Sequence, residues 1–295
     1  MEIQLEKFLK KFNFFISTTF LPDQSNILEY LNEFKMYKIT NIELGSNHCF
    51  NSEVLNHDFQ NFKILIHNYF PPAKKNIIIN IASIDEKIRN QSIEHIKKCI
   101  LFSKKNNAEL YTFHPGFKLD PVSQNLDKKN YDFIWENKSI RNDYAQKYFF
   151  SSLDEIIGYA KNIDQRIALE TEGSFNHFDK LLFQNIEDIL NFTKNYHPED
   201  IKINLNIGHL NLAKEVFNFD IYEFYNLIDH YIAAFELSHN YGINDDHLPL
   251  IEEAWYWDII KQKKFKDIPK VLEYRNLTFN ELVTSIKLVK NIYEK

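Results

Sequence analysis

The stretch "ELSHNYGINDDHLPL" (residues 236–250) places Glu236, His239, Asp245, Asp246 and His247 within a dozen residues, directly after the apolar run "YIAAF" (231–235). Imidazole nitrogens and carboxylate oxygens at that density make a donor set for Zn²⁺, Mn²⁺ or Co²⁺. Other apolar runs end in the same kind of residue: Glu43, His67, His114, Glu170 with Glu172, Asn206 with His209, and Glu273. One histidine at such a position is ordinarily a core or rim residue satisfied by backbone. Repetition through consecutive units is a different matter, because burying many ionisable groups together costs free energy unless a cation compensates for them. The competing reading is a hydrated polar pocket without metal.

The elements that must position these residues are short apolar runs alternating with helical patterns. The runs are 12–18, 39–45, 63–70, 108–116, 166–173, 201–209, 231–239 and 269–276, several of them continuously apolar, as strands buried on both faces are. Helical periodicity covers 25–37, 91–107, 143–163 (read as one helix or two), 185–196, 220–231 and 280–295. Eight such units predict an eight-stranded α/β barrel, a (β/α)8 TIM barrel in one domain over 1–295, whose active site lies at the C-terminal ends of the strands. A doubly wound sheet would need a Gly-rich first turn. The chain has six glycines and no GxGxxG after its first run. "NIIINIA" (76–82) reads as a loop or short extra strand, "SIDEKIRN" (83–90) as extended, and the insertion 117–142 as an ordinary surface loop in preference to a lid or dimer contact.

The chain has 295 residues, 44% of them apolar, and a formal charge of −6. That charge works against a broad phosphate-tracking surface, so nucleic acid is not an expected partner. Lysine pairs such as Lys74–Lys75 and Lys128–Lys129 read as solvated surface. The two cysteines, Cys49 and Cys99, form no CxxC pair and read as reduced core thiols. The N-terminus, "MEIQLEKFLKKFNFF", is charged throughout and lacks a signal-peptide core, and no apolar run is long enough to span a bilayer. A soluble cytoplasmic protein is expected, with no membrane partner and a homodimer left open.

The segments "HNYFPP" (67–72), "FHPGF" (113–117), "ALETEG" (168–173), "NIGH" (206–209), "ELSHNYGINDDHLPL" (236–250) and "LEYRN" (272–276), in that order, carry a resemblance. The chain resembles the xylose isomerase-like barrel superfamily, which includes sugar isomerases and epimerases and also endonuclease IV. The resemblance implies His67, His114 and Glu170 as ligands of one metal. It implies Glu170 and Glu273, with Asn206 and Glu236 or His239, as ligands of a central metal, and His209, Asp245 and His247 as ligands of a third. The number of ions stays open, and Zn²⁺ or Mn²⁺ is the expected cofactor. The family usually has Asp where this chain has Asn206, and His where it has Glu236, with His239 three residues on. Either Glu236 restores the charge lost at Asn206, or His239 is the ligand and Glu236 lies below it.

The resemblance implies a metal-dependent sugar or sugar-phosphate isomerase or epimerase, with Glu170 and Glu273 as the acid/base pair and Asn206, His209 and Glu236 orienting the substrate. Glu43 and Glu172 are further substrate-binding candidates, and the aromatic residues Phe20, Tyr69, Phe117 and Trp255 are candidates to stack on a sugar face. Two alternatives stand beside it. One is a multinuclear phosphodiesterase related to endonuclease IV, motivated by His67, His114, His209, Asp245 and His247. The other is a non-catalytic sugar-binding descendant, motivated by the altered central residues.

Overall fold

In the computed structural model, residues 2–125, 132–135 and 141–295 are described. Eight parallel strands close into a barrel: β1 (Phe14–Ser17), β2 (Asn41–Leu44), β3 (Lys63–His67), β4 (Tyr111–Phe113), β7 (Ile167–Glu170), β8 (Lys202–Asn206), β9 (Ile232–Leu237) and β10 (Lys270–Leu272), the last pairing back to β1. These are the predicted runs, in order. The intervening β5 (Pro121–Asn125) and β6 (Asp132–Trp135) form a separate antiparallel pair.

Side chains alternate across a strand with a period of two, and here both faces are buried but in different company. Phe15, Leu65, Leu110, Ala168, Ala234 and Val271 pack together as a small cluster inside the barrel. Their neighbours Ile16, Ile64, Ile66, Tyr111, Leu169, Leu205, Phe235 and Leu272 belong to the large outer core under the helices. Two residues beyond the inner cluster, on the same face, stand Ser17, His67, Thr112, Glu170, Glu236 and Glu273. The barrel interior is therefore an apolar plug capped by a polar layer. The opposite end is closed by Lys270, fully buried, whose Nζ donates to the carbonyls of Phe265 (2.6 Å) and Ile268 (2.9 Å).

Several sequence expectations change. The helix predicted from residue 91 begins earlier: α3 runs Glu86–Lys105, with the Asp85 carboxylate accepting from the Lys87 and Ile88 N–H groups, so most of the "extended" 83–90 stretch is a capped helix start. Residues 76–82 form no strand. The 143–163 pattern is one helix, α4 (Asn142–Asn162). The sixth run stops being a strand at Asn206, and α6 (Ile207–Phe217) starts at once. An N-terminal helix, α1 (Glu2–Lys11), precedes the barrel, while α2 (Ile27–Met36) and α5 (Ile186–Asn195) fall within the predicted patterns 25–37 and 185–196. The insertion read as plain loop holds the β5–β6 hairpin, although residues 126–131 and 136–140 of it lie outside the described ones. Among the described residues no helix is long and apolar enough to cross a membrane.

Candidate active site at the barrel mouth

A cavity of about 190 Å³ opens at the C-terminal ends of the strands, lined by His67, His114, Glu170, Glu172, His209, Asp245, His247 and Glu273. Tyr69 and Phe117 line it too. Its rim is a chain of alternating imidazoles and carboxylates. His67 Nδ1 lies 3.5 Å from Glu170 Oε2, and His114 Nε2 lies 4.0 Å from Glu170 Oε1. His114 Nδ1 donates to Glu172 Oε1 at 2.6 Å. His209 Nε2 lies 3.5 Å from Asp245 Oδ2, His247 Nε2 lies 2.8 Å from the same oxygen, and His247 Nδ1 lies 3.2 Å from Glu273 Oε2.

Local structure aims these groups. His67 ends β3, and its Nδ1 meets Thr112 Oγ1 at 2.8 Å. His209 stands on the first turn of α6. The Asn206 side chain caps that helix by accepting from His209 N–H (3.1 Å), while His209 Nδ1 donates to the Thr171 carbonyl (2.8 Å) and leaves Nε2 toward the cavity. The loop carrying Asp245 and His247 is pinned by a two-residue bridge, with His239 N–H donating to Leu248 O at 2.8 Å and the reverse bond at 3.0 Å. Gly173 lets the chain after β7 press against α6: a Cβ there would come within 1.9 Å of the His209 carbonyl oxygen.

Charge is matched pairwise along the rim. Burial alone would depress the His114 pKa, but the Glu172 and Glu170 carboxylates outweigh it and raise the ring to about 9. His247 is likewise raised to about 9 by Asp245 and Glu273, against burial and the nearby Arg275. His209 is raised well above its ordinary value because Asp245 overcomes its burial. Correspondingly, burial would raise Glu273 and Asp245, but their histidines win, holding Glu273 at about 2 and Asp245 well below the usual carboxylate range. His67 goes the other way, lowered chiefly by burial, and is the imidazole readiest to ligate at neutral pH.

Below the rim, Glu170 is held by two carboxamides: Asn206 Nδ2 donates to Oε1 (2.9 Å) and Asn204 Nδ2 to Oε2 (3.0 Å). Asn204 also donates to Glu236 Oε2 (2.7 Å). Glu43 and Glu236 are buried, and Glu43 Oε1, Glu43 Oε2 and Glu236 Oε1 have no hydrogen bond of good geometry among the described residues. Burial, with nearby Glu273, raises Glu43 to about 8, Ser17 and Glu236 partly opposing; burial and nearby Glu43 push Glu236 well above its ordinary value. One ligand atom each from His67, His114 and Glu170 lie within 4.8 Å of one another, and the same holds for Glu43, His67 and Glu236. Orphaned buried carboxylate oxygens beside imidazole nitrogens fit a divalent cation.

Not every predicted residue reaches the cavity. Asn206 accepts with its oxygen at the α6 cap and donates with its amide to Glu170, so it orients that carboxylate and does not itself line the cavity. Glu236 and Glu43 lie beneath the lining. His239 does not line the cavity. Its ring packs against Tyr241 and Tyr256, and of the two strand-seven alternatives it is Glu236 that faces the barrel interior. Trp255 stands off the cavity, against Tyr256, and Phe20 is core, packed on Phe34 and Phe279. Asp245 lines the cavity and Asp246 does not. The sequence reading missed Asn204, Arg275, and Phe133 and Trp135 of the hairpin, whose rings pack on Phe117 at 4.8 and 5.3 Å to form the cavity wall.

A family model for the xylose isomerase-like TIM barrel matches residues 56–291, which carry every rim residue named above. The chain belongs to that family. An uncharacterized protein of Methanocaldococcus jannaschii, MJ1311, is 24% identical over 220 residues, covering 73% of this chain and 67% of that protein. Among solved structures, a D-tagatose 3-epimerase-like protein superposes with a TM-score of 0.72 at 20% identity, covering 96% of this chain and 97% of the other. The IolI protein with a bound zinc atom superposes with a TM-score of 0.67 at 14% identity, covering 96% and 98%.

Proposed function

We propose that this xylose isomerase-like barrel is a divalent-metal-dependent sugar or sugar-phosphate isomerase or epimerase that moves a proton next to a carbonyl. The observation that carries the reading is the placement of Glu170 and Glu273 in one cavity, each with its own orienting partners. Two amides hold Glu170 and an imidazole holds Glu273. Two carboxylates with separate supports suit removal of a proton by one and its return by the other. His67, His114 and Glu170 are the residues that would hold a cation, and when bound it supplies Lewis-acid polarisation of the substrate oxygens. His247 keeps Glu273 ionised and in place, and the Phe117–Phe133–Trp135 wall offers a ring face to the sugar. Likeness in fold to a D-tagatose 3-epimerase-like protein and to a zinc-bound barrel supports the substrate class and the cofactor.

The test is solvent-deuterium incorporation at the carbon next to the carbonyl of ketoses, aldoses and their phosphates by metal-replete protein. Incorporation that disappears in Glu170→Gln and Glu273→Gln supports the proposal. Its absence across the panel with metal bound removes it.

A second reading rests on the His209–Asp245–His247 group, which could hold a further cation beside the first, as a multinuclear phosphodiesterase requires. Cleavage of an abasic-site duplex by the same preparation would favour it. The net charge of −6 weighs against it.

A further inference from the structure

The rim carboxylates are each matched by an imidazole: Glu172 by His114 at 2.6 Å, Asp245 by His247 at 2.8 Å, Glu273 by His247 at 3.2 Å, and Glu170 by His67 at 3.5 Å. The two carboxylates beneath them are not matched. Glu43 and Glu236 are 0% and 1% exposed, and among the described residues neither lies in ion-pair distance of a lysine, arginine or histidine. The buried ammonium of Lys270 is spent on backbone carbonyls at the far end of the barrel. Asn204 satisfies one oxygen of Glu236; among the described residues the remaining three oxygens of the pair have no hydrogen bond of good geometry, the groups nearest Glu43 being Ser17 and Glu236 itself. Two buried acids with three unsatisfied oxygens are unfavourable as anions unless a cation or a shared proton lies between them. A third donor is at hand, since His67 brings a ring nitrogen within 4.8 Å of both, and the Thr112 contact at Nδ1 is the kind that sets the tautomer of a ligating imidazole.

We propose that Glu43, His67 and Glu236 form an inner divalent-cation site beneath the substrate cavity, to which β2 contributes a ligand. Glu236 then serves this site, and the one ring nitrogen that His67 has free of the Thr112 contact can serve either this site or the outer group of His114 and Glu170, one at a time. Two carboxylates and one imidazole make an oxygen-rich set suited to Mn²⁺, whereas two imidazoles and one carboxylate in the outer group suit Zn²⁺. The proposal concerns cation binding alone and does not depend on the sugar chemistry.

The test is Mn²⁺ binding to the full chain, followed by electron paramagnetic resonance, for the wild type, Glu43→Gln, Glu43→Asp and His114→Asn, with circular dichroism to confirm folding. Glu43→Gln is expected to lose one equivalent of Mn²⁺ or to weaken its binding at least tenfold. Glu43→Asp is expected to recover part of it, and His114→Asn to retain it. Wild-type stoichiometry and affinity in Glu43→Gln would overturn the inner site. So would a wild type that retains no Mn²⁺ or Zn²⁺ after dialysis, which would leave the two acids sharing a proton. Loss of the equivalent in a protein that exchanges no sugar proton would sink the proposed function and keep the site. Turnover with unchanged metal content in Glu43→Gln would do the reverse.

Discussion

Asn204 joins Glu170 to Glu236: one carboxamide nitrogen donates to Glu170 Oε2 at 3.0 Å and to Glu236 Oε2 at 2.7 Å, both fully inside the barrel. A neutral donor between two acids lowers their repulsion without adding charge. Asn204→Asp keeps the shape but replaces the donor with a third carboxylate. It is expected to destabilise the metal-free protein by about 3 kcal/mol, the scale of breaking a buried charged contact. Added Mn²⁺ should recover part of that loss. Thermal melts of both proteins with and without metal give the answer, and equal midpoints without metal would show that the bridge carries no load.

The rim histidines should make metal binding steeply dependent on pH. His114 and His247 hold their protons up to about 9 in the metal-free protein because carboxylates face them. Their folded values lie above the unfolded value near 6.5, so these ion pairs contribute stability that is complete below about 6.5 and fades as pH rises through about 9. A cation must displace those protons, so its apparent affinity at the rim should rise between pH 7 and 9, with proton release. Calorimetry of Zn²⁺ binding in buffers of different ionisation enthalpy measures the release directly. Binding without proton release at pH 7 would count against His114 as a ligand.

Much of this was legible because a barrel strand writes its chemistry at fixed offsets. Leu65 and His67, Ala168 and Glu170, and Val271 and Glu273 are apolar–polar pairs two residues apart, so the polar member sits one layer above the apolar plug. The same rule separates the two strand-seven alternatives, Glu236 and His239, and explains why His239 does not line the cavity. It lies three residues from Glu236, an odd offset that on extended chain puts the two on opposite faces. Asn206 and His209 are also three apart, yet they meet, because the chain turns helical at Ile207 and three residues then return to one side. No local pattern marks Asn204, since a single amide in an apolar strand has no signature until its partners on β7 and β9 are placed. The hairpin was missed because "VSQNLDKKNYDFIW" is too polar to read as strands, and its aromatic wall is defined by contact with Phe117 across the cavity.

Gly173 should tolerate no side chain. Its missing Cβ leaves room for the His209 carbonyl, which would otherwise lie 1.9 Å away, and backbone on both sides cannot yield as a flexible side chain does. Gly173→Ala is expected to push α6 outward, break the His209–Thr171 contact and cost about 3 kcal/mol, comparable to overpacking elsewhere. The variant should also lose affinity for any ion held by His209, Asp245 and His247. An unchanged denaturation midpoint would mean that the loop after β7 shifts freely.

Trp135 is where substrate binding can be separated from chemistry. It lines the cavity from the hairpin, packs on Phe117 and Phe133, lies under Lys180 Nζ at 5.6 Å, and holds a buried indole N–H with no partner among the described residues. An unsatisfied donor on an aromatic wall suits a polyhydroxylated ligand that stacks on the ring and accepts from its edge. Its ring contacts among the described residues are with Phe117, Phe133 and His177, none of them in the ion-pair chain, so its removal should weaken substrate binding and leave the proton-transfer step alone. Trp135→Phe, which keeps the ring face and deletes the N–H, is expected to raise KM about 5-fold, near 1 kcal/mol for one lost hydrogen bond, with kcat within twofold. Trp135→Ala should raise KM further by removing the stacking face. A fall in kcat with KM unchanged would place Trp135 in the reacting geometry itself and overturn the separation.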